Sequence, residues 1–450
     1  MSSLNGLKKA GLFSNRDLIN LIIPLIIEQL LAVTVGMADT IMVASVGESA
    51  VSAVSLVDSI SILLINIFAA LATGGAVVAG HYIGERKEEK AKEAGEQLIA
   101  FVTVISIIIM IIMYIGREFI LHKVFGAIDP DVASYANTYM SIVFASIPFI
   151  AIYNSGAALF RTMGDSKTTM VTSLIMNAIN VIGNATLVFG FKMGVAGVAI
   201  PTLVSRGVAA LIIMILLRDD HLSININDYS KYKYNGKMVK NILDIGIPNG
   251  IENSMFQLGK IMLLSVVSEF GTASIAANAV ANTVTAFQNL PSKAIGLGLI
   301  TVVSQCVGAV DYEQARYYTK KLLKYAYISL LLINSVVILA LPFILKIYNL
   351  STITAKMARN VIIFYGINAC ISWSSSFTLP NTLRASNDVR YAMIVSVASM
   401  WITRIGLGVI LAKNFNLGMY GVWIAMIADW YVRSLFFIIR YKGNKWEEAR

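Results

Sequence analysis

Charge is scarce in this 450-residue chain: 14% of residues are Asp, Glu, Lys or Arg, against roughly a quarter in ordinary soluble proteins. Cysteine is nearly missing. Cys306 and Cys370 each fall inside an apolar run and read as small core residues, which leaves no disulfide framework and no zinc spacing. The three histidines, His81, His122 and His221, lie far apart, and no P-loop, GxSxG or HExxH occurs. Neither an enzymatic activity nor a resident cofactor is expected from such a chain. The N-terminal MSSLNGLKKAGLFSNRDL has no apolar core ending in a small-residue cleavage site, so no signal peptide is expected to be removed.

What is abundant is apolar surface. Hydrophobic residues make up 57% of the chain and mean hydropathy is +0.71. A water-soluble core cannot hide that much, whereas lipid accepts it if the backbone satisfies itself within helices or a closed barrel. The apolar runs are continuous and not alternating, so helices are favoured. Twelve are expected, near 17–45, 50–84, 95–121, 131–160, 167–190, 195–217, 241–268, 273–308, 314–347, 354–383, 389–412 and 418–440. The second and eighth exceed the ~20 residues needed to cross, and Gly74 with Gly75, and Pro291, are the expected bending points.

The net charge of +10 would raise nucleic acid as a partner in a soluble protein, but its distribution argues otherwise. With both termini inside, 24 of the 36 Lys and Arg fall on cytoplasmic segments and seven on the opposite side. The positive-inside rule then orients the chain in a bacterial-type plasma membrane, with its basic excess near anionic lipid. Lys8, Lys9, Arg161, Lys231, Arg384 and Arg450 are among the cytoplasmic set; Arg206, Lys260, Lys293, Arg404 and Arg433 sit within helices.

Sliding the chain along itself until Pro24 meets Pro248 superposes landmarks over the whole length. Glu28 falls on Glu252, Gly47 on Gly271, Gly84 on Gly308, and Gly194 and Gly197 on Gly418 and Gly421. In a register shorter by a single position, Arg161, Asp165 and Met170 meet Arg384, Asp388 and Met393. The expected fold is an all-α polytopic membrane protein of twelve transmembrane helices in two six-helix lobes. An even number of crossings makes the lobes parallel, related by an axis along the membrane normal. Residues 1–218 form the N-lobe, 219–241 a polar cytoplasmic linker and 242–450 the C-lobe. Two lobes that rock about a central cleft suit secondary transport of small organic substrates by alternating access.

Several stretches taken together resemble the multidrug and toxic compound extrusion (MATE) transporter family. They are Pro24-x-x-x-Glu28 followed by Asp39 in DTIMV and by Gly47; GHYIGERKEEKA and its counterpart SQCVGAVDYEQA; the turns LFRTMGDSK and LRASNDVR; and NLGMYGVWIAM. The resemblance covers essentially the whole chain. It implies proton- or sodium-coupled export of organic, often cationic, compounds, and we expect the protein to work as a monomer.

Asp39, Asn180, Asn184 and Thr202 fall at one depth of the N-lobe, and Asn180 and Asn184 share a helix face. A carboxylate, two amides and a hydroxyl suit a hard monovalent cation such as sodium, and the same carboxylate can instead take a proton. The set is similar to the family's N-lobe cation site, which implies a coupling role for these four residues. Some members have aspartate where this chain has Asn184. Asp58, matched by Asn282, is expected to face the cleft and is a candidate for the substrate or coupling network. Glu28 and Glu252 each follow a helix proline by four residues, and as a duplicated feature read as bridges between helices. Glu252 is also a candidate for the substrate or coupling network, because Lys260 lies two turns on.

Acids that some family members carry in the C-lobe are replaced here by Phe256 and Trp373, so no second cation site is expected there. Arg404 and Asp429 fall at comparable depths on neighbouring antiparallel helices and are expected to form a structural ion pair, and Arg433 to snorkel. Lys260 and Lys293 lack an evident partner and leave an anionic or zwitterionic substrate open. They also keep alive an alternative function, a lipid-linked sugar or polysaccharide flippase of related two-lobe architecture. The many Met and aromatic residues read mostly as packing.

Overall fold

The computed structural model describes residues 11–126, 128–227, 232–348 and 350–448; Lys8, Lys9, Lys231 and Arg450 lie outside them. The helices are α1 Asn15–Ala44, α2 Glu48–Gly84, α3 Glu88–Ile115, α4 Pro130–Thr162, α5 Ser166–Gly190 and α6 Ala196–Leu216 in the first half. The second half has α7 Gly236–Ser268 and α8 in two pieces, Thr272–Gln288 and Leu290–Gly308. It continues with α9 Tyr312–Ile347, α10 Thr352–Ala385, α11 Val389–Asn414 and α12 Gly418–Lys442. Twelve membrane-crossing helices in two lobes are therefore present among the described residues, as the apolar runs and the repeat imply. Eleven helices among the described residues are long and apolar enough to cross a membrane. The twelfth, α7, is 33 residues long but carries Asn249, Glu252, Asn253, Gln257 and Lys260 in its middle.

Local chemistry sets the helix ends. Ser14 and Asp17 form a reciprocal capping box at α1, and Asp165 and Asp311 cap α5 and α9. Left-handed backbone occurs at Gly47, Arg86, Gly164, Lys192 and Gly194, and again at Gly271, Val310, Asn387, Asn416 and Gly418. Each member of the second set is the repeat equivalent of its counterpart in the first. The duplication thus reaches down to individual turn conformations, even where the side chains differ.

The predicted bending points behave differently from one another. The break in α8 falls at Asn289, just ahead of Pro291. By contrast α2 runs unbroken through Gly74 and Gly75, which serve close approach: a Cβ on Gly74 would lie 2.4 Å from Ile242 O, and one on Gly75 2.4 Å from Leu98 Cδ2. α7 starts five residues before the expected 241, because Asn235 caps it by accepting from the N–H groups of Lys237 and Met238. The chain ahead of it is docked on the first half. Ile224 and Ile226 are fully buried, and Gln97 of α3 accepts from Tyr232 Oη and Asn235 N.

The first and last described stretches meet the start of α9, Phe13 N donating to Tyr318 Oη at 2.9 Å and Arg316 Nε pairing with Glu447 Oε1 at 2.6 Å. One apolar cluster fills the first half and takes in Ile242 and Ile245 of α7 and Ile300 of α8, and a second lies within the second half. A third joins Leu18, Leu21 and Leu25 of α1 to Leu299, Val302 and Val303 of α8 at this termini-bearing end.

The halves meet most tightly here. A Cβ on Gly84 would lie 2.1 Å from Gln305 O, and one on its repeat equivalent Gly308 would lie 2.1 Å from His81 O. Side chains cross the same junction twice. His81 Nε2 lies 2.7 Å from Ala385 O; since a carbonyl only accepts, that nitrogen carries the proton. Gln305 Nε2 donates to Thr162 O at 2.7 Å. Gln305 is the repeat equivalent of His81, and Ala385 that of Thr162, so one bond is made twice about the pseudo-twofold axis. Thr301 Oγ1 adds a bond to Arg161 O at 3.2 Å. Together these contacts form a seal.

Candidate functional site

In the N-lobe, α1, α5 and α6 bring Asp39, Asn180, Asn184 and Thr202 together. Asn184 Nδ2 donates to Asp39 Oδ1 at 2.8 Å. The Asn180 amide lies between Asp39 and Thr202; turned so that its nitrogen faces the carboxylate, it donates to Asp39 Oδ1 at 2.9 Å and its oxygen lies 3.2 Å from Thr202 Oγ1. Asn184 is fully buried, and its Oδ1 has no partner among the described residues. A buried acceptor without a donor is rare in a folded protein. The residues therefore fit a hard cation: turning either amide replaces an N–H by an oxygen facing Asp39. The set holds one carboxylate, and no group of three His, Cys, Asp or Glu able to hold a metal occurs among the described residues.

Asp58 does not line the cleft, although its repeat equivalent Asn282 does. Asp58 is held inside the N-lobe by Tyr139, whose Oη donates to Oδ1 at 3.2 Å. Arg206 of α6 donates to Ser146 Oγ at 2.8 Å and lies within electrostatic reach of both Asp39 and Asp58. Tyr139 and Arg206 were not anticipated as parts of this network, although an arginine in mid-helix is itself a signal.

The two glutamates form the same bridge in each half. Glu28 Oε1 pairs with Arg161 at 3.3 Å and Oε2 accepts from Thr169 Oγ1 at 3.0 Å. Glu252 takes Arg384 Nη2 at 2.7 and 2.8 Å, and Arg433 Nη2 at 3.4 Å. Arg161 and Arg384 are thus helix partners of the repeated glutamates and not loop charges. Arg433 does not snorkel: at 2% exposure it donates to Ser396 Oγ at 2.8 Å and stacks over Phe377 at 4.5 Å.

The expected Arg404–Asp429 ion pair does not close. Asp429 Oδ1 accepts from Ser399 Oγ at 2.5 Å, while Arg404 lies over the Phe256 ring at 4.9 Å. The reason is local helix geometry. Met400–Leu407 winds with wide i→i+5 turns, which use more residues per turn than an α-helix and shift Arg404 off the face counted at the α-helical period. Asp429 still acts on it electrostatically, without contact.

Between the halves lies a cavity of about 550 Å³. Gln29, Asn66 and Thr73 supply its first-half wall. The second half supplies Asn253, Phe256, Asn282, Trp373, Phe377 and Trp430, with the charged Glu252, Lys260, Lys293, Arg384, Arg404 and Arg433. Ile300 lines the cavity, while the next residue, Thr301, belongs to the seal, so the cavity ends on it. Beyond the seal a second hollow of about 540 Å³ is lined by Glu85, Asp244, Asn387 and Arg390.

Two six-helix lobes that enclose a polar cavity in an otherwise apolar, multi-pass chain, closed at one end by a symmetric seal, define a membrane transporter. The MatE family model matches twice, over residues 24–186 and 248–410, so that the two stretches begin and end at repeat-equivalent positions. The chain belongs to the MATE family. An uncharacterised transporter of Bacillus subtilis, YisQ, is 25% identical, covering 96% of this chain and 94% of its own length. The probable multidrug resistance protein NorM of Thermotoga maritima is 22% identical over 96% and 93% of the two chains. Among solved structures, MATE in complex with MaL6 superposes with a TM-score of 0.90 at 19% identity, over 96% of this chain and 97% of that one. A MOP superfamily transporter from Pyrococcus furiosus, described as having a binding pocket of reverse polarity that suggests a different function, gives 0.88 at 19% identity, over 96% of both chains.

Proposed function

We propose that this chain is an alternating-access antiporter that exports organic compounds, as the multidrug resistance names of its relatives suggest. Protons or sodium ions entering at Asp39, Asn180, Asn184 and Thr202 would drive it, with no resident cofactor. Residues 1–218 and 242–450 are the rocking bodies and 219–241 joins them; the protein acts as a monomer, with both termini in the cytoplasm. The observation that carries this reading is α1 itself. It contributes Gln29 to the cavity wall, Glu28 to the Arg161 bridge and Asp39 to the oxygen-rich cluster.

A cation or proton at Asp39 competes with the Asn184 N–H for the carboxylate and loosens α1 from α5. Pro24, inside α1, has no N–H to hold the helix turn there, so the helix can flex between its two ends. Ion binding that favours one lobe arrangement then shifts the population towards it. The expectation of cationic cargo rests on the family resemblance; the basic cavity wall does not favour it, and the Pyrococcus transporter, with its binding pocket of reverse polarity, shows that pocket polarity varies within this fold.

The basic lining also supports the second reading, a flippase for lipid-linked sugars, which a scrambling assay with labelled glycolipid separates from export of soluble compounds. The primary test is Asp39→Asn in proteoliposomes with an imposed pH or sodium gradient. Driven flux should be abolished while the thermal melt is kept. Full driven transport in that variant would remove the coupling mechanism.

A further inference from the structure

We propose that the C-lobe side of the cavity is a binding site for organic anions with an aromatic or apolar body; the inference rests on reading the chain as an exporter of organic compounds. Five cations line the cavity against one carboxylate, Glu252. Glu252 is already engaged by Arg384 and Arg433. Lys260, Lys293 and Arg404 are left, and none of the three forms an ion pair among the described residues. Lys260 and Lys293 are solvent-accessible within the cavity. Arg404 is only 7% exposed, and its Nε and Nη1 have no partner among the described residues. Lys260 is within electrostatic reach of both Lys293 and Arg404.

Asp429, fully buried, offsets part of the Arg404 charge without touching it, but no acid among the described residues acts on Lys260 or Lys293. Like charges in one membrane-embedded cavity are expensive to hold without counter-charge. An anion supplies that counter-charge, whereas an ammonium would add a further like charge to the same space. The body of the ligand is set by the rings. Lys260 and Arg404 both sit over Phe256, at 5.4 and 4.9 Å. Phe377 stacks on Trp373 at 4.9 Å and meets Phe256 edge-on at 6.0 Å. These faces, with the amides of Asn253 and Asn282, surround a space of about 550 Å³, within the usual range for small organic ligands. Phe256 and Trp373 bring no net charge to oppose an anion, and the electron-rich face of Phe256 is already taken up by Lys260 and Arg404.

The test uses the cavity's own reporters, since Trp373, Trp423 and Trp430 line it. Purified full-length protein in nanodiscs is titrated with 2-naphthoate and with its isostere 2-naphthylmethylammonium, following tryptophan quenching. Naphthoate should bind at least tenfold more tightly. The double variant Lys260→Gln/Lys293→Gln should weaken naphthoate at least tenfold and leave the ammonium unchanged or tighter. Lys260→Arg/Lys293→Arg should restore the preference, which separates lost charge from misfolding. An arm with geranyl phosphate separates sources: tighter binding than naphthoate assigns the site to a lipid phosphate headgroup, weaker binding to a soluble acid. Equal or tighter binding of the ammonium, an unchanged double variant, or no saturable naphthoate quenching would overturn the proposal. Gradient-driven flux in proteoliposomes is scored separately: anion preference without driven flux strikes the exporter reading and leaves the site standing.

Discussion

Replacing Gly308 by alanine should loosen the seal at the termini-bearing end while leaving each lobe folded. The new Cβ would lie 2.1 Å from His81 O and 2.7 Å from His81 C, where ordinary contact begins near 3.4 Å. The obstructing atoms are backbone, so no side-chain rotation relieves them, and α2 and α8 must part. Overpacking of this kind costs about 1–3 kcal/mol. The cost falls only on the arrangement in which the seal is closed, so the closed-to-open ratio should drop roughly five- to 150-fold. Ser304 is fully buried and faces Gly80 across the junction, which makes Ser304→Cys a reporter once Cys306 and Cys370 have been replaced by alanine. Maleimide labelling of this cysteine in nanodiscs should accelerate in the Gly308→Ala background. Gly36→Ala is the control, because nothing lies within 4 Å of the added Cβ. Labelling of Gly308→Ala at the parent rate would refute the argument that this backbone contact holds the closed arrangement.

Other perturbations separate the two lobes. Glu252→Gln leaves Arg384 and Arg433 buried with no carboxylate between them and should destabilise by about 3–5 kcal/mol, read as a loss in thermal or denaturant midpoint. Glu28→Gln should cost less, because the Arg161 contact is longer, at 3.3 Å, and more exposed. Asn184→Asp adds a second carboxylate beside Asp39 and should tighten sodium binding, measured by calorimetry; unchanged affinity would count against a cation site there. Gln305→Ala and His81→Ala each remove one of two equivalent interlobe bonds and should raise Ser304→Cys labelling by similar factors.

Much of the architecture was legible because it depends on apolar length and on repetition. Helix number, lobe count and the meeting of Asp39 with Asn180, Asn184 and Thr202 need only the α-helical period and equal depth, and α5 keeps that period across both asparagines. The reading failed where the period changes. Ala369–Thr378 and Met400–Leu407 wind more widely, so faces counted at the α-helical period are misplaced, and with them the Arg404–Asp429 pair. It also failed at helix ends. Arg161 and Arg384 lie close to turns and read as loop charges, yet both reach back to a glutamate on a neighbouring helix. The two arginines recur almost in the register of Glu28 and Glu252, short of it by a single position, and that shared recurrence was the signal that could have joined them. For α7 the polar residues that lower its hydropathy are the ones that form the cavity wall.

The symmetric pair at the seal has its acceptors in the main chain. Ala385 O and Thr162 O are carbonyls that every residue type supplies, so substitutions at those two positions leave the acceptor side of each bond in place. The donors are free to differ, provided that each still presents an N–H at the right reach, and they do differ: imidazole in one half, carboxamide in the other. A bolt whose socket is peptide backbone lets the copies of a duplicated gene drift apart in charge and cargo while the doorway they share keeps its shape.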